Sequence, residues 1–97
     1  MATFIVLGSF TDQGIRNIKE SPKRTEAFKA LAQKVGVKVK DIYWTLGHYD
    51  IVTIVEAHDT ATATSLGLAV ASLGNVRTET LTAFGPEEFG RILGKMP

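Results

Sequence analysis

Cysteine is absent from the 97 residues, which excludes disulfides, thiolate metal sites, cysteine nucleophiles and iron–sulfur clusters. Histidine is scarce, with His48 and His58 as the chain's 2. Read on one strand, they lie ten residues apart, about 30 Å at ~3.3 Å per residue, too far to share an ion within one chain. Glu56 and His58 share a strand face and Asp59 is adjacent, but no third ligand for that pair is evident, so no metal is expected. No apolar run approaches the ~20 residues of a membrane helix. The opening Met1-Ala2-Thr3 has none of the basic, apolar and cleavage segments of a signal peptide. The expected setting is the cytoplasm, with no membrane partner. Charge of one sign is lacking too: 11 basic residues stand against 10 acidic ones. Lys23-Arg24 and the pair Lys38 and Lys40 are local enrichments and form no basic stripe, so a nucleic-acid partner is not expected. No Ser–His–acid spacing, phosphate-cradling glycine loop or dinucleotide fingerprint occurs. Nothing in these patterns asks for a cofactor.

What is present is a regular alternation of strands and helices. The chain is organised around Tyr43-Trp44-Thr45-Leu46-Gly47-His48-Tyr49-Asp50-Ile51-Val52-Thr53-Ile54-Val55-Glu56, which reads as a strand, a tight reversal at Gly47-His48 and an almost wholly apolar strand. Before it, residues 3–10 form a first strand that is apolar on both faces through Phe4-Ile5-Val6-Leu7. A helical turn follows Thr11, and Ser21-Pro22 starts a helix, with Ser21 as its cap. Phe28, Leu31, Ala32 and Val35 form that helix's inward stripe, and Gly36 ends it. Residues 37–46 make the second strand, in which charged and apolar residues alternate as suits a sheet edge. Residues 49–56 make the third. Asp59 or Thr60 caps a helix over about 60–73 that Gly74 stops. Residues 75–84 make a fourth, polar strand. Pro86 opens a last helix, expected to fold back on the body through Phe89, Ile92 and Leu93.

The order β-α-β-β-α-β plus a terminal helix is the ferredoxin-like plan, α+β with a four-stranded antiparallel sheet, over residues 1–97 as a single domain. That plan puts the first and third strands in the middle, and polarity alone ranks them the same way. Two helices cover only one face of such a sheet, yet both central strands are apolar on both faces. A second copy packed sheet to sheet is the economical cover, so a homodimer, or a higher even-numbered oligomer, is expected.

The run Gly47-x-Tyr49-Asp50, after Tyr43-Trp44-Thr45-Leu46 and before Glu56, resembles the bacterial GYD-domain family. Thr11-Asp12-Gln13-Gly14-Ile15, Ser21-Pro22 and Gly74-Asn75-Val76-Arg77-Thr78-Glu79-Thr80 are similar to that family as well. The resemblance implies a dimeric α/β barrel and brings no established reaction. Proteins of that architecture include small heme- or quinol-processing monooxygenases and the ligand-sensing domains of leucine-responsive-type regulators.

Each polar or aromatic residue near the motif has a structural and a chemical reading. Gly47 serves a positive φ in the turn. Asp50 caps backbone N–H groups or acts as a general base. Tyr49 packs at a subunit seam or donates a proton. His48 is a solvated tip residue or a proton shuttle or ligand supported by Asp50. Tyr43 and Trp44 face opposite sides of their strand. Arg77 pairs with Glu79 at an edge or binds an anion in the cleft between sheet and helices. The expected function is a homo-oligomeric module that binds a small molecule or assembles, with Trp44, His48, Tyr49 and Arg77 as ligand contacts. The alternative is a small oxygenase, cofactor-free or heme-using, for an aromatic or quinol-like substrate, with His48, Tyr49 and Asp50 catalytic.

Overall fold

Phe4, Val6 and Phe10 alternate along one side of the first strand and Thr3, Ile5 and Leu7 along the other, and that period of two decides the architecture. The computed structural model describes residues 1–97. It runs β1 (Ala2–Phe10), α1 (Asp12–Arg16), a 3₁₀ turn (Ile18–Glu20), α2 (Ser21–Lys34), β2 (Lys38–Trp44), β3 (Ile51–Ala57), α3 (Thr60–Ala71), β4 (Val76–Ala83) and α4 (Pro86–Leu93). The strands lie in the order β2-β3-β1-β4, every pair antiparallel. This is the ferredoxin-like α+β fold, with the apolar strands central and the polar strands at the edges as their composition requires. No helix is long and apolar enough to cross a membrane.

One face of the sheet carries α2 and α3. Phe4 of β1 and Val55 of β3 are register partners and the largest fully buried side chains. Ala32 of α2 and Ala63 and Leu66 of α3 close over them. Burying a side chain of the size of Phe4 stabilises the fold by about 1.5–3 kcal/mol. Val35, expected in the inward stripe of α2, is instead 40% exposed, because the helix ends there and the chain turns away at Gly36, φ +77°.

Ser21 does not cap α2 as its sequence suggests. The 3₁₀ turn delivers the chain to the helix through Glu20, and the Ser21 hydroxyl accepts a bond from the Trp44 indole N–H at 2.9 Å. In β2 the alternation changes phase: Val39 pairs with Val55, but Asp41 pairs with Ile54, so Lys40 is an extra residue on this edge. The bulge lets Val39, Ile42 and Trp44 all serve the helix side despite their mixed odd and even spacing.

Asp59 caps α3, its carboxylate accepting from the Thr62 N–H at 2.7 Å. Bonds from the Thr62 hydroxyl and then its backbone N–H hold the Asp59 carboxyl below the ordinary value of 3.8. The stabilisation this supplies is fully present above that ordinary value and declines as pH falls toward the depressed folded one. Replacing Asp59 by Asn is therefore expected to flatten part of the acid limb of a stability–pH curve below about pH 4, as measured by urea titration.

The other sheet face carries no helix. At its centre run two register rows, Tyr43–Val52–Leu7–Glu79 and Asp41–Ile54–Ile5–Leu81, bordered at one end by the more polar row Lys38–Glu56–Thr3–Ala83. Six of the eight side chains in the two central rows are apolar or aromatic. The expected return of α4 to the body does not occur: it has no buried residue, and Phe89, Ile92 and Leu93 remain 49%, 37% and 50% exposed. The helix side of the sheet is already taken by α2 and α3, which leaves α4's apolar stripe without a seat in its own chain.

Candidate functional site

The segment between β2 and β3 is a six-residue connection, Thr45 to Asp50, and not a two-residue reversal. Three features fix it. The Thr45 N–H donates to the Asp50 carbonyl at 2.8 Å, the Thr45 hydroxyl donates to the Tyr49 carbonyl at 2.6 Å, and Gly47 adopts φ +131°. The last is a conformation L side chains avoid, so Gly47 has the backbone role read from sequence.

Asp50 ties this connection to β1. Its N–H donates to the Gly8 carbonyl at 2.8 Å, and its carboxylate accepts from the Phe10 N–H at 2.9 Å. The side chain thus extends the β1–β3 ladder by one bond beyond the last paired residue, and caps a strand rather than its own turn. Asp50→Ala is expected to cost about 1–3 kcal/mol by leaving the Phe10 N–H without its partner. Asp50→Asn, which keeps an acceptor oxygen, is expected to lose less than half of that in chemical denaturation. Equal losses would mean that the negative charge, not the bond, is what matters.

Tyr49 donates its hydroxyl to the Glu79 carboxylate on β4 at 2.5 Å, reaching over the end of β1 on the helix-free face. That bond, then desolvation and the negative charge of Glu79, raise the Tyr49 phenol above its ordinary value of 10.0. His48 sets its ring edge-on to Tyr49, centroids 4.8 Å apart and planes at 85°. His48 is exposed, and no group of three His, Asp or Glu residues converges anywhere in the chain in the manner of a metal site.

Of the remaining sequence candidates, Trp44 lies on the helix side against Ser21, and Tyr43 on the open face opposite Val52. Arg77 pairs in register with Ser9 on the open face. It therefore does not enter the cleft between sheet and helices, because alternation along β4 sends Val76 and Thr78 there instead. Nor does it pair with Glu79, whose carboxylate Tyr49 has taken.

The cleft itself is a cavity of about 670 Å³ between α2, α3 and the sheet. Val6, Gly8, Thr53 and Val55 lie on its sheet side, and Leu31 and Leu66 belong to its helical walls. None of Trp44, His48, Tyr49, Asp50 and Arg77 lines it. The motif cluster and the main cavity are separate places. A cleft between sheet and helices was expected, but with Arg77 as its contact. The residues that line it went unread, although glycine in the middle of an apolar strand, at Gly8, was a signal of open space or close approach.

Fold and motif together define a small ferredoxin-like domain with one helix-covered and one bare apolar sheet face. The GYD domain family's profile matches residues 4–93, and the chain belongs to that family. It is 44% identical over 84 residues to the "Glutamine synthetase and cystathionine beta-lyase binding protein" of Thermus thermophilus, covering 86% of this chain and 88% of that one. Among solved structures it is similar to TTHA0845 from Thermus thermophilus, with a TM-score of 0.57 and 28% identity over 88% of this chain and 95% of that one. It also superposes on a feast or famine regulatory protein of M. tuberculosis complexed with L-methionine, with a TM-score of 0.67 and 18% identity. Here 88% of this chain is covered but only 51% of that one, so this chain spans about half the regulator's length and shares the fold alone.

Proposed function

We propose that this chain is a homo-oligomeric docking module: two copies close sheet to sheet, and the assembly binds metabolic enzymes. The observation that carries the reading is the bare sheet face with its two apolar rows. Contiguous apolar surface of several hundred Å² is uncommon on a monomer and marks a contact surface. A two-fold axis through that face would set Ile5, Leu7, Val52 and Ile54 against their own copies, the isologous arrangement of most dimers. The two carboxylates flanking the rows suit it as well. Glu79 already accepts a bond from Tyr49 and would enter a seam satisfied, while Asp41 sits at the β2 edge where water still reaches.

The unseated apolar stripe of α4 gives a second surface that a partner would cover. The relative at 44% identity is named for binding glutamine synthetase and cystathionine β-lyase, and its match covers nearly the whole of both chains. That supports enzymes of this kind as the partners here. The test is sedimentation velocity of the purified chain alone and mixed with each of those two enzymes from the same source. An even-numbered assembly that co-sediments with either enzyme is the expected result. A monomer at micromolar concentration overturns the sheet-to-sheet assembly, and an assembly that co-sediments with neither enzyme overturns the choice of partner.

A further inference from the structure

The cavity between α2, α3 and the sheet lies on the side of the sheet away from the proposed dimer seam, so the sheet-to-sheet contact does not cover it. Its volume of about 670 Å³ falls in the range of small-molecule sites, roughly 300–1,000 Å³. Two features give it a chemical character. The first is the space above Gly8. This glycine has no positive φ, and a Cβ built on it would meet nothing nearer than the Ile51 Cβ at 3.6 Å. Neither backbone geometry nor packing requires glycine there, and its effect is to keep the cavity open over the central strand.

The second feature is charge. The ionised side chains of the lining are Arg24 and Lys34, and no carboxylate accompanies them. Arg24 donates to two backbone carbonyls, Asn17 at 3.1 Å and Gly14 at 3.4 Å, and forms no ion pair. A guanidinium carries five N–H donors, so most of its donor capacity and all of its charge remain available. Ser21, Thr25 and Asn75 also line the cavity, and Asn75 spends its side-chain oxygen on Gln13 while keeping its NH₂. Lys34 is ten residues further along α2, about 15 Å at 1.5 Å per residue, and cannot share a head group with Arg24. Between them the walls are apolar. The lining thus runs along α2, with a polar end at Ser21, Arg24, Thr25 and Asn75 and the lone cation Lys34 at the other.

We propose that this cleft binds a medium-chain fatty carboxylate, its head group at Arg24 and its chain along Gly8, Leu31 and Leu66. A planar carboxylate matches the guanidinium fork, and an unbranched chain matches a trough that runs the length of a helix. The probe is decanoate, titrated calorimetrically into the full chain and compared with decan-1-ol, which has the same chain without the charge. Trp44, the 1 tryptophan of the sequence, adds an optical readout, because its indole rests on Ser21 at the cavity wall.

Decanoate is expected to bind one per chain and to shift the Trp44 emission. Arg24→Gln is expected to weaken decanoate about tenfold and leave decan-1-ol unchanged, with Arg24→Lys recovering part of the loss. Gly8→Leu, which fills the trough from its floor, is expected to abolish both while thermal unfolding stays cooperative. Three results overturn the proposal. One is no decanoate heat with the full chain, and another is an equal effect of Arg24→Gln on acid and alcohol. The third is decanoate binding seen only after Phe89→Glu and Ile92→Glu, which would show that the trough is filled by α4 of another copy.

Discussion

Gly14→Ala is expected to destabilise the protein by about 2–4 kcal/mol, well above the usual cost of an added methyl group. A Cβ at Gly14 would lie 1.9 Å from the Asn75 carbonyl oxygen, 2.9 Å from its carbonyl carbon and 3.2 Å from its Cα. All three are backbone atoms, so no side chain can swing aside. Asn75 is itself held by two bonds, and its neighbour Gly74 by a third. The Thr11 N–H donates to its carbonyl at 3.1 Å, Gln13 donates to its side-chain oxygen at 2.9 Å, and the Thr11 hydroxyl donates to neighbouring Gly74 at 2.6 Å. Gly74 adds φ +85°, which fixes the path of the α3–β4 turn. Making room for the methyl group means breaking part of this set or lifting α1 off the turn. Urea unfolding should show the midpoint falling by more than about 1 M for a domain of this size. Gly67→Ala is the matched control, since its Cβ would meet only the Thr78 hydroxyl, at 3.8 Å. There the loss of a helical glycine is expected to leave stability unchanged or raise it by up to about 1 kcal/mol. Similar midpoints for both variants would contradict the close approach at Gly14.

The same turn shows where sequence reading succeeds and where it stops. Thr11-Asp12-Gln13-Gly14 and Gly74-Asn75 were recognisable as a pattern, but 60 residues of sequence separate partners such as Gln13 and Leu73, and only the fold brings them together. Strand order was legible because it is a property of each strand by itself: apolar on both faces means central, charged on one means edge. The phase change in β2 between Val39 and Ile42 was visible as well, yet it becomes a bulge only when Lys40 is seen to have no partner. Ser21 misled for a local reason. A serine before a proline is a good cap in isolation, and nothing nearby announces that Trp44 will claim its hydroxyl. The cleft between sheet and helices was legible as a place but its lining was not, because the space is made of what is missing, at Gly8 and along walls partly built of alanine. Phe89, Ile92 and Leu93 form a correct amphipathic pattern, and the pattern states that a partner exists without saying that it belongs to the same chain.

Ile54→Lys is expected to convert the assembly to single chains at micromolar concentration, with a dissociation constant higher by at least about a thousandfold. Ile54 sits in the middle of the bare face, between Asp41 on one side and Ile5 on the other in the register row. It takes no part in the cluster of Phe4, Val55, Ala32 and Leu66 that holds α2 and α3 to the opposite face. A lysine there leaves the fold's core untouched and, as a monomer, projects into water at little cost. In a two-fold seam the substitution counts twice, and each ammonium would be pressed toward apolar side chains of the other copy, while Glu56, the carboxylate two residues along β3 on the same face, already faces Lys38 in register. Unpaired buried charge of that kind costs several kcal/mol per interface. Sedimentation equilibrium reads the assembly, and far-ultraviolet circular dichroism with thermal unfolding reads the fold. Leu68→Lys on α3 is the control, a position 66% exposed on the helix side, where assembly should be unaffected. Unchanged mass for Ile54→Lys would move the contact surface elsewhere, with the stripe of α4 as the next place to put a charge. Loss of assembly in both variants would show that the outer face of α3 is also buried in the oligomer.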